Sequence, residues 1–249
     1  MQYGICNLNI APLRSEPTDK SELVSQVLYG EHFKVLEQRK SWSKIRIAFD
    51  KYEGWIDNKQ FIFITEDNYK TLNTSELKLS ADLVEFISDS NHNLIPVSLG
   101  INTNACEMLL HTFDGKEIKG KQPKEKLIET AFIYLNAPYL WGGKTPFGID
   151  CSGLTQMVYK LNGYKLLRDA NQQATQGEAL SFIEECEPGD LAFFDNEEGK
   201  IIHVGLIMKD NYIIHSHGKV RIDRIDHTGI FNVDTKSYSH KLRVIKKII

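Results

Sequence analysis

The stretch Trp141-Gly-Gly-Lys-Thr-Pro-Phe-Gly-Ile-Asp-Cys-Ser-Gly153 decides how the second half of the chain is read. Its glycines make a loop. Beyond it, Leu154, Met157, Val158 and Leu161 recur at the spacing of an amphipathic helix, with Gly163 as the stop. Cys151 is therefore expected at a helix N-terminus. There, free backbone N–H groups and the positive end of the helix dipole lower a thiol pKa and can hold an oxyanion. The competing reading is a buried free cysteine acting as a small hydrophobe. Asp150 and Ser152 flank it with polar groups, poor company for a core side chain.

A thiolate nucleophile needs a base, and the base needs an orienter. The chain offers His203 in Ile201-Ile-His-Val-Gly-Leu-Ile-Met208 and His215 in Tyr212-Ile-Ile-His215. If these segments form a hairpin across the loop Lys209-Asp-Asn211, Gly205 pairs with His215 and His203 falls opposite His217. His203 and His215 then share a face one diagonal step apart, about 7–8 Å between backbones, within reach of two rings. A loop one residue shorter would put them on opposite faces. His217 is a substitute for either, and His32, His92, His111, His227 and His240 are expected at the surface or in turns. Cys151, His203 and His215 could also supply three zinc ligands. A cysteine at a helix start is not a metal knuckle, however, and no fourth ligand is evident, so no metal and no cofactor is expected.

Upstream, Leu127, Ile128, Ala131, Phe132 and Leu135 predict a helix over 124–135, bounded by Pro123 and Pro138. Strands are predicted at 190–194, 201–208 and 212–215. Helix first and sheet second makes this half α+β. Residues 1–64 hold short strands such as Glu31-His-Phe-Lys-Val-Leu-Glu37, Trp42-Ser-Lys-Ile-Arg-Ile-Ala48 and Gly54-Trp-Ile-Asp57, which suggest a small barrel. Residues 65–80 are polar and fit a linker. Residues 81–120 alternate apolar runs with turn residues, as in Asp114-Gly-Lys-Glu-Ile-Lys-Gly120, and suggest a second, degenerate barrel. The expected domains are 1–64, 65–122 and 123–249.

The totals narrow the function. Among 249 residues, 41% are hydrophobic and 25% charged, with a net charge of -3. That charge offers no broad field for nucleic acid or an anionic membrane, and neither is expected as a partner. The longest apolar runs are too short for a transmembrane helix. The four cysteines form no C-x-x-C pair. The start Met1-Gln-Tyr-Gly-Ile-Cys-Asn lacks the basic and apolar segments of a leader. A cytoplasmic monomer is expected, or a periplasmic one if a leader has been removed.

Residues 123–249 resemble the NlpC/P60 family of cell-wall cysteine peptidases. The motifs that carry the resemblance are Pro138-Tyr-Leu-Trp-Gly-Gly143, Gly148-Ile-Asp-Cys-Ser-Gly-Leu154, Glu187-Pro-Gly-Asp-Leu-Ala-Phe-Phe194, His203-Val-Gly205 and Ile214-His-Ser216. Gln26-Val-Leu-Tyr-Gly-Glu31, a Trp42-bearing strand and Gly54-Trp-Ile56 together resemble a bacterial SH3-like domain. The resemblance implies an α+β, permuted papain-like catalytic domain preceded by one or two small SH3-like β-barrels. It implies Cys151 as nucleophile, His203 as base and His215 as its polar orienter. Tyr139 would sit by the oxyanion, and Asp150 and Ser152, counted with Trp141 among the substrate-binding residues, would hold the substrate's N-terminal end.

The order of modules resembles the γ-D-glutamyl-L-diamino acid endopeptidases of murein recycling. These cut a murein tripeptide or tetrapeptide with a free N-terminal L-Ala between D-Glu and the diamino acid, releasing L-Ala-D-Glu. In that family the first SH3-like domain covers one end of the cleft and supplies a carboxylate and a tyrosine for the amine. By position these would be Glu22 and Tyr52, with Glu16 as a second acid; the alternative is a solvated loop charge and a surface aromatic. Other readings are an endopeptidase on intact peptidoglycan, an amidase or acyltransferase, and a wall-binding SH3 protein with an idle catalytic domain.

Overall fold

A computed structural model describes residues 1–249, which divide into two compact units, Met1–Lys121 and Gln122–Ile249. In the first, β1 (Gln2–Ile5), β2 (Ile10–Arg14), β3 (Leu23–Leu28), β4 (His32–Gln38), β5 (Trp42–Ile47), β6 (Glu53–Asp57) and β7 (Ile62–Ile64) form one sheet in the order β3-β2-β6-β5-β4-β1-β7. Alternating side chains, among them Leu13, Val27, Phe33, Ile45 and Ile56, meet Cys6 and Phe61 in its core.

Residues 65–121 depart from expectation in two ways. Thr65 Oγ1 accepts from the Asn68 N–H at 3.1 Å and caps helix α1 (Glu66–Thr74), so much of the expected linker is helical. Cap residues and first-turn acids are polar, and so mimic a linker. The expected second barrel does not close. β8 (Lys78–Ser80), β9 (Val84–Ser88), β10 (Leu94–Ser98), helix α2 (Ala105–Leu109), β11 (Thr112–Phe113) and β12 (Glu117–Lys119) give two separate sheets, β10-β9-β11 and β12-β8. Strands of two to five residues are too short to curve round and meet. Instead this segment packs on the first sheet. The Asn102 N–H donates to Tyr29 O at 2.9 Å and its Nδ2 to Gly30 O at 3.2 Å. Gly30 sits at φ 76°, and a Cβ there would overlap the Asn102 carbonyl. His32, expected at the surface or in a turn, is instead buried in a strand, edge-on to Tyr69, while the half-buried His111 bonds the Tyr29 hydroxyl.

In the second unit, α3 (Lys126–Ile133) gives way to Asn136 at φ 67°. There follow the short β13 (Lys144–Thr145) and β14 (Gly148–Ile149), α4 (Cys151–Leu161), α5 (Ala170–Gln173) and β15 (Glu178–Leu180). The remaining strands are β16 (Leu191–Asp195), β17 (Ile201–Ile207), β18 (Tyr212–His217), β19 (Lys219–Ile225), β20 (Gly229–Asn232) and β21 (Ser237–Lys247). Their order is β15-β21-β16-β17-β18-β19-β20, and β20 also pairs with β21, closing six strands into a barrel. Ala192, Phe194, Ile207, Ile213, Ile225, Ile230 and Ile245 form one apolar cluster inside it. The alternate residues Val204, Leu206 and Ile214 are also fully buried, because α4 packs against β17 and β18. Burial on both faces explains the apolar residues that follow His203 in β17, whereas Ile202 before it stays exposed.

Candidate active site

The loop before α4 folds as its glycines allow. A Cβ on Gly143 would lie 2.3 Å from the Gly148 carbonyl oxygen, and one on Gly153 2.3 Å from that of Gly143. The Tyr139 N–H donates to Gly218 O at 3.0 Å and Ser216 Oγ to Ile149 O at 2.8 Å, tying the loop to β18 and the turn after it. Asp150 caps α4: Oδ1 accepts from the Gly153 N–H at 2.6 Å, and Oδ2 from the Gly142 N–H at 2.8 Å. Arg168, 1% exposed, pairs with the same carboxylate through Nη1 (3.0 Å to Oδ1) and Nη2 (2.7 Å to Oδ2), and donates to Ser152 Oγ at 3.0 Å. Both oxygens of Asp150 are therefore engaged within the protein, and its charge is compensated.

Cys151 opens α4 and is buried. Pairing of β17 with β18 stops at Gly205↔His215, and the next backbone N–H, that of Val204, reaches the Cys151 sulfur. The thiol thus lies one residue along β17 from His203. Its pKa is not lowered as the helix start suggests. Burial and the Asp150 charge push it up to about 12, outweighing the Val204 and Ser152 N–H groups and the Arg168 charge. Loss of solvation costs a buried thiolate more than a helix end returns.

The hairpin loop is Lys209-Asp-Asn211, closed by the Met208 N–H donating to Tyr212 O at 2.8 Å. In this register the histidines meet: His203 Nε2 lies 2.8 Å from His215 Nδ1. His215 Nε2 lies 3.0 Å from Asp223 Oδ2, on the neighbouring β19. Arg221 grips both oxygens of Asp223 at 2.6 and 2.9 Å. Burial would raise the Asp223 carboxyl, but the bonds from His215, Arg221 and the Val233 N–H hold it well below the carboxylate range. Burial lowers His203 strongly, helped by the neighbouring imidazoles, and lowers His215 despite Asp223.

These states fix the protons. An ionised Asp223 can only accept, so neutral His215 carries its proton on Nε2 and turns a bare Nδ1 to His203. His203 must then donate from Nε2, which leaves its own Nδ1 as a free base. The nitrogens face one another in series, and no cluster of three or more His, Cys, Asp or Glu side chains is arranged to hold a metal ion.

Tyr139 is half-buried. Burial and the nearby Cys151 and Asp150 raise its phenol, so it stays an O–H donor. Trp141 is 58% exposed at the loop tip. Glu22 and Glu16 are exposed around the turn between β2 and β3, and Tyr52 is half-buried against the first unit's core. Sequence reasoning missed Arg168, Arg221, Asp223 and His240. His240, expected at the surface, stacks on His203 with centroids 4.1 Å apart and 21° between planes. Gly218, at φ 72°, marks the β18–β19 turn that sets Asp223 one diagonal step from His215, so that residue had a signal. His240 had none.

A buried thiol at a helix start beside a barrel-borne His–His–Asp series defines a cysteine-hydrolase site of the papain-like type. The NlpC/P60 family model matches residues 136–238, and that of the bacterial dipeptidyl-peptidase SH3 domain matches residues 13–61. The chain is 30% identical to a gamma-D-glutamyl-L-lysine dipeptidyl-peptidase of Bacillus subtilis, over 86% of this chain and 75% of that one. It is 27% identical to dipeptidyl-peptidase 6 of Lysinibacillus sphaericus, over 87% and 89%. An NlpC/P60 family protein from Bacillus cereus shares the fold across 99% of both chains, with a TM-score of 0.77 at 21% identity. The chain belongs to the NlpC/P60 family of cysteine peptidases and carries an N-terminal SH3-like domain.

Proposed function

We propose that this protein hydrolyses the γ-D-glutamyl-diamino acid bond of murein peptides bearing a free N-terminal L-Ala, and releases L-Ala-D-Glu for recycling. The observation that carries the chemistry is the Asp223–His215–His203 series, whose His203 directly precedes Val204, the residue whose N–H reaches the Cys151 sulfur. Thiol and imidazole both rest neutral, so His203 Nδ1 takes the Cys151 proton as the sulfur attacks the γ-carbonyl carbon. The Cys151 N–H and the Tyr139 O–H stabilise the oxyanion. The C–N bond breaks as the His203 imidazolium protonates the leaving amine of the diamino acid. Water, deprotonated by His203, then hydrolyses the thioester. His215 and Asp223 hold the base in its useful tautomer throughout.

Support for the bond comes from the Bacillus subtilis relative, a gamma-D-glutamyl-L-lysine dipeptidyl-peptidase similar to this chain over 75% of its length. The proposed partners of the peptide's ammonium group are Asp150 and an acid of the N-terminal domain, Glu22 or Glu16, with Tyr52 as the candidate tyrosine. Turnover of L-Ala-γ-D-Glu-diamino acid tripeptide, compared with its N-acetylated form and with whole sacculus by mass spectrometry, tests this. Cleavage of the free tripeptide alone is expected. Equal rates on the acetylated peptide overturn the free-amine requirement, and release from sacculus makes the protein a wall endopeptidase.

A further inference from the structure

The hydrogen bond from His203 to His215 fixes one corner of the proposed base, not the plane of its ring. The plane is fixed from β21. His240 stacks face-on against His203, while His215 stands at 83° to it and His217 at 69°. Phe194, on β16, tilts against His203 at 5.8 Å and touches His240 at 5.9 Å. His240 is itself held: Ser239 Oγ lies 2.9 Å from its Nδ1, and the exposed His217 packs edge-on at 4.9 Å. A ring in this position limits rotation about χ2 and keeps water off one face of His203.

We propose that His240 is a positioning residue for the reaction, an unreactive imidazole whose stacking aims His203 Nδ1 at Cys151 and keeps His203 dry. This rests on the reading of Cys151 and His203 as nucleophile and base. Of the titratable groups that act on His240, His215 and His217 oppose a charge on it and Asp223 favours one, and burial outweighs Asp223. His215 and His217 come from β18, and Asp223, gripped by Arg221, from β19; Cys151, Asp150 and Tyr139 lie on the loop and α4 side. Burial, with His215 and His217 nearby, lowers His240 to about 4, so it carries no charge at neutral pH to oppose the imidazolium of His203.

The test compares His240→Ala with His240→Phe in the full chain. The alanine variant is expected to lose about tenfold or more in kcat with KM little changed, a fraction of what general-base catalysis supplies. Its acid limb of kcat/KM should move upward, because hydration and the loss of a neighbouring imidazole both raise the His203 pKa toward its free value. The phenylalanine variant keeps a flat apolar ring and should recover most of the rate and the low acid limb. Histidine ring NMR reads the His203 titration without any substrate, so it holds even if the assigned peptide is not cleaved. An unchanged acid limb and an unchanged His203 titration in His240→Ala overturn the proposal. So does a phenylalanine variant no better than alanine. If alanine fails to fold, His240→Gln takes its place with the same expectations.

Discussion

Each compact unit contains a buried cysteine at the start of a helix, with a tyrosine and a histidine close by. In the first unit these are Cys106, Tyr29 and His111: the Tyr29 hydroxyl lies 3.8 Å from Cys106 Sγ and 2.8 Å from His111 Nδ1. In the second they are Cys151, Tyr139 and His203. Burial raises both thiols. The difference lies behind the histidine. His111 spends its Nδ1 on a phenol, whereas His203 is backed by a second imidazole and a carboxylate that two arginine bonds keep ionised. The same three residue types make a packing cluster in one unit and a candidate reaction centre in the other. A thiol, a phenol and an imidazole are not enough; a buried, ionised anchor must decide which nitrogen holds the proton.

The comparison breaks most easily at the two sulfurs. Cys151→Ala should lower tripeptide turnover by about 10⁴-fold or more, as loss of a nucleophile does, while Cys106→Ala should leave turnover within about twofold and cost about 1 kcal/mol of stability. Comparable activity losses in both variants would end the distinction. Asp223→Asn probes the anchor. An amide no longer requires a donor on His215, so kcat should fall by about 10²–10⁴-fold while the fold persists. A drop under about threefold would leave the series a structural ornament.

The smallest effect is on stability against pH. His203, His215 and His240 all titrate below their ordinary 6.5 when folded, so between that value and about 4 the unfolded chain binds more protons. Stability is therefore full above 6.5 and declines as the pH falls through this window; Asp223, whose carboxyl is also lowered, adds a further loss at more acidic pH. Denaturant midpoints from pH 7.5 to 4.5 should fall, and His240→Phe should flatten the decline. A midpoint independent of pH in this range contradicts the neutral-histidine assignment.

Much of this was legible in local pattern. The glycine loop, the periodicity after Cys151, and the loop length that aligns Gly205 with His215 are all short-range features, and backbone geometry converts them directly into structure. The capped helix α1 was missed because capping residues resemble a linker, and the second barrel was expected because alternation marks strands but not whether they close. By itself, then, the sequence determined the place of Cys151 at a helix start and a strand-rich first unit, and it allowed the hairpin register that joins His203 to His215. Tertiary structure alone decided that the thiol is raised rather than lowered, that Arg168 neutralises Asp150, and that His240 covers His203. Desolvation and ring stacking depend on what arrives from distant strands when the barrel closes, and no local spacing records that.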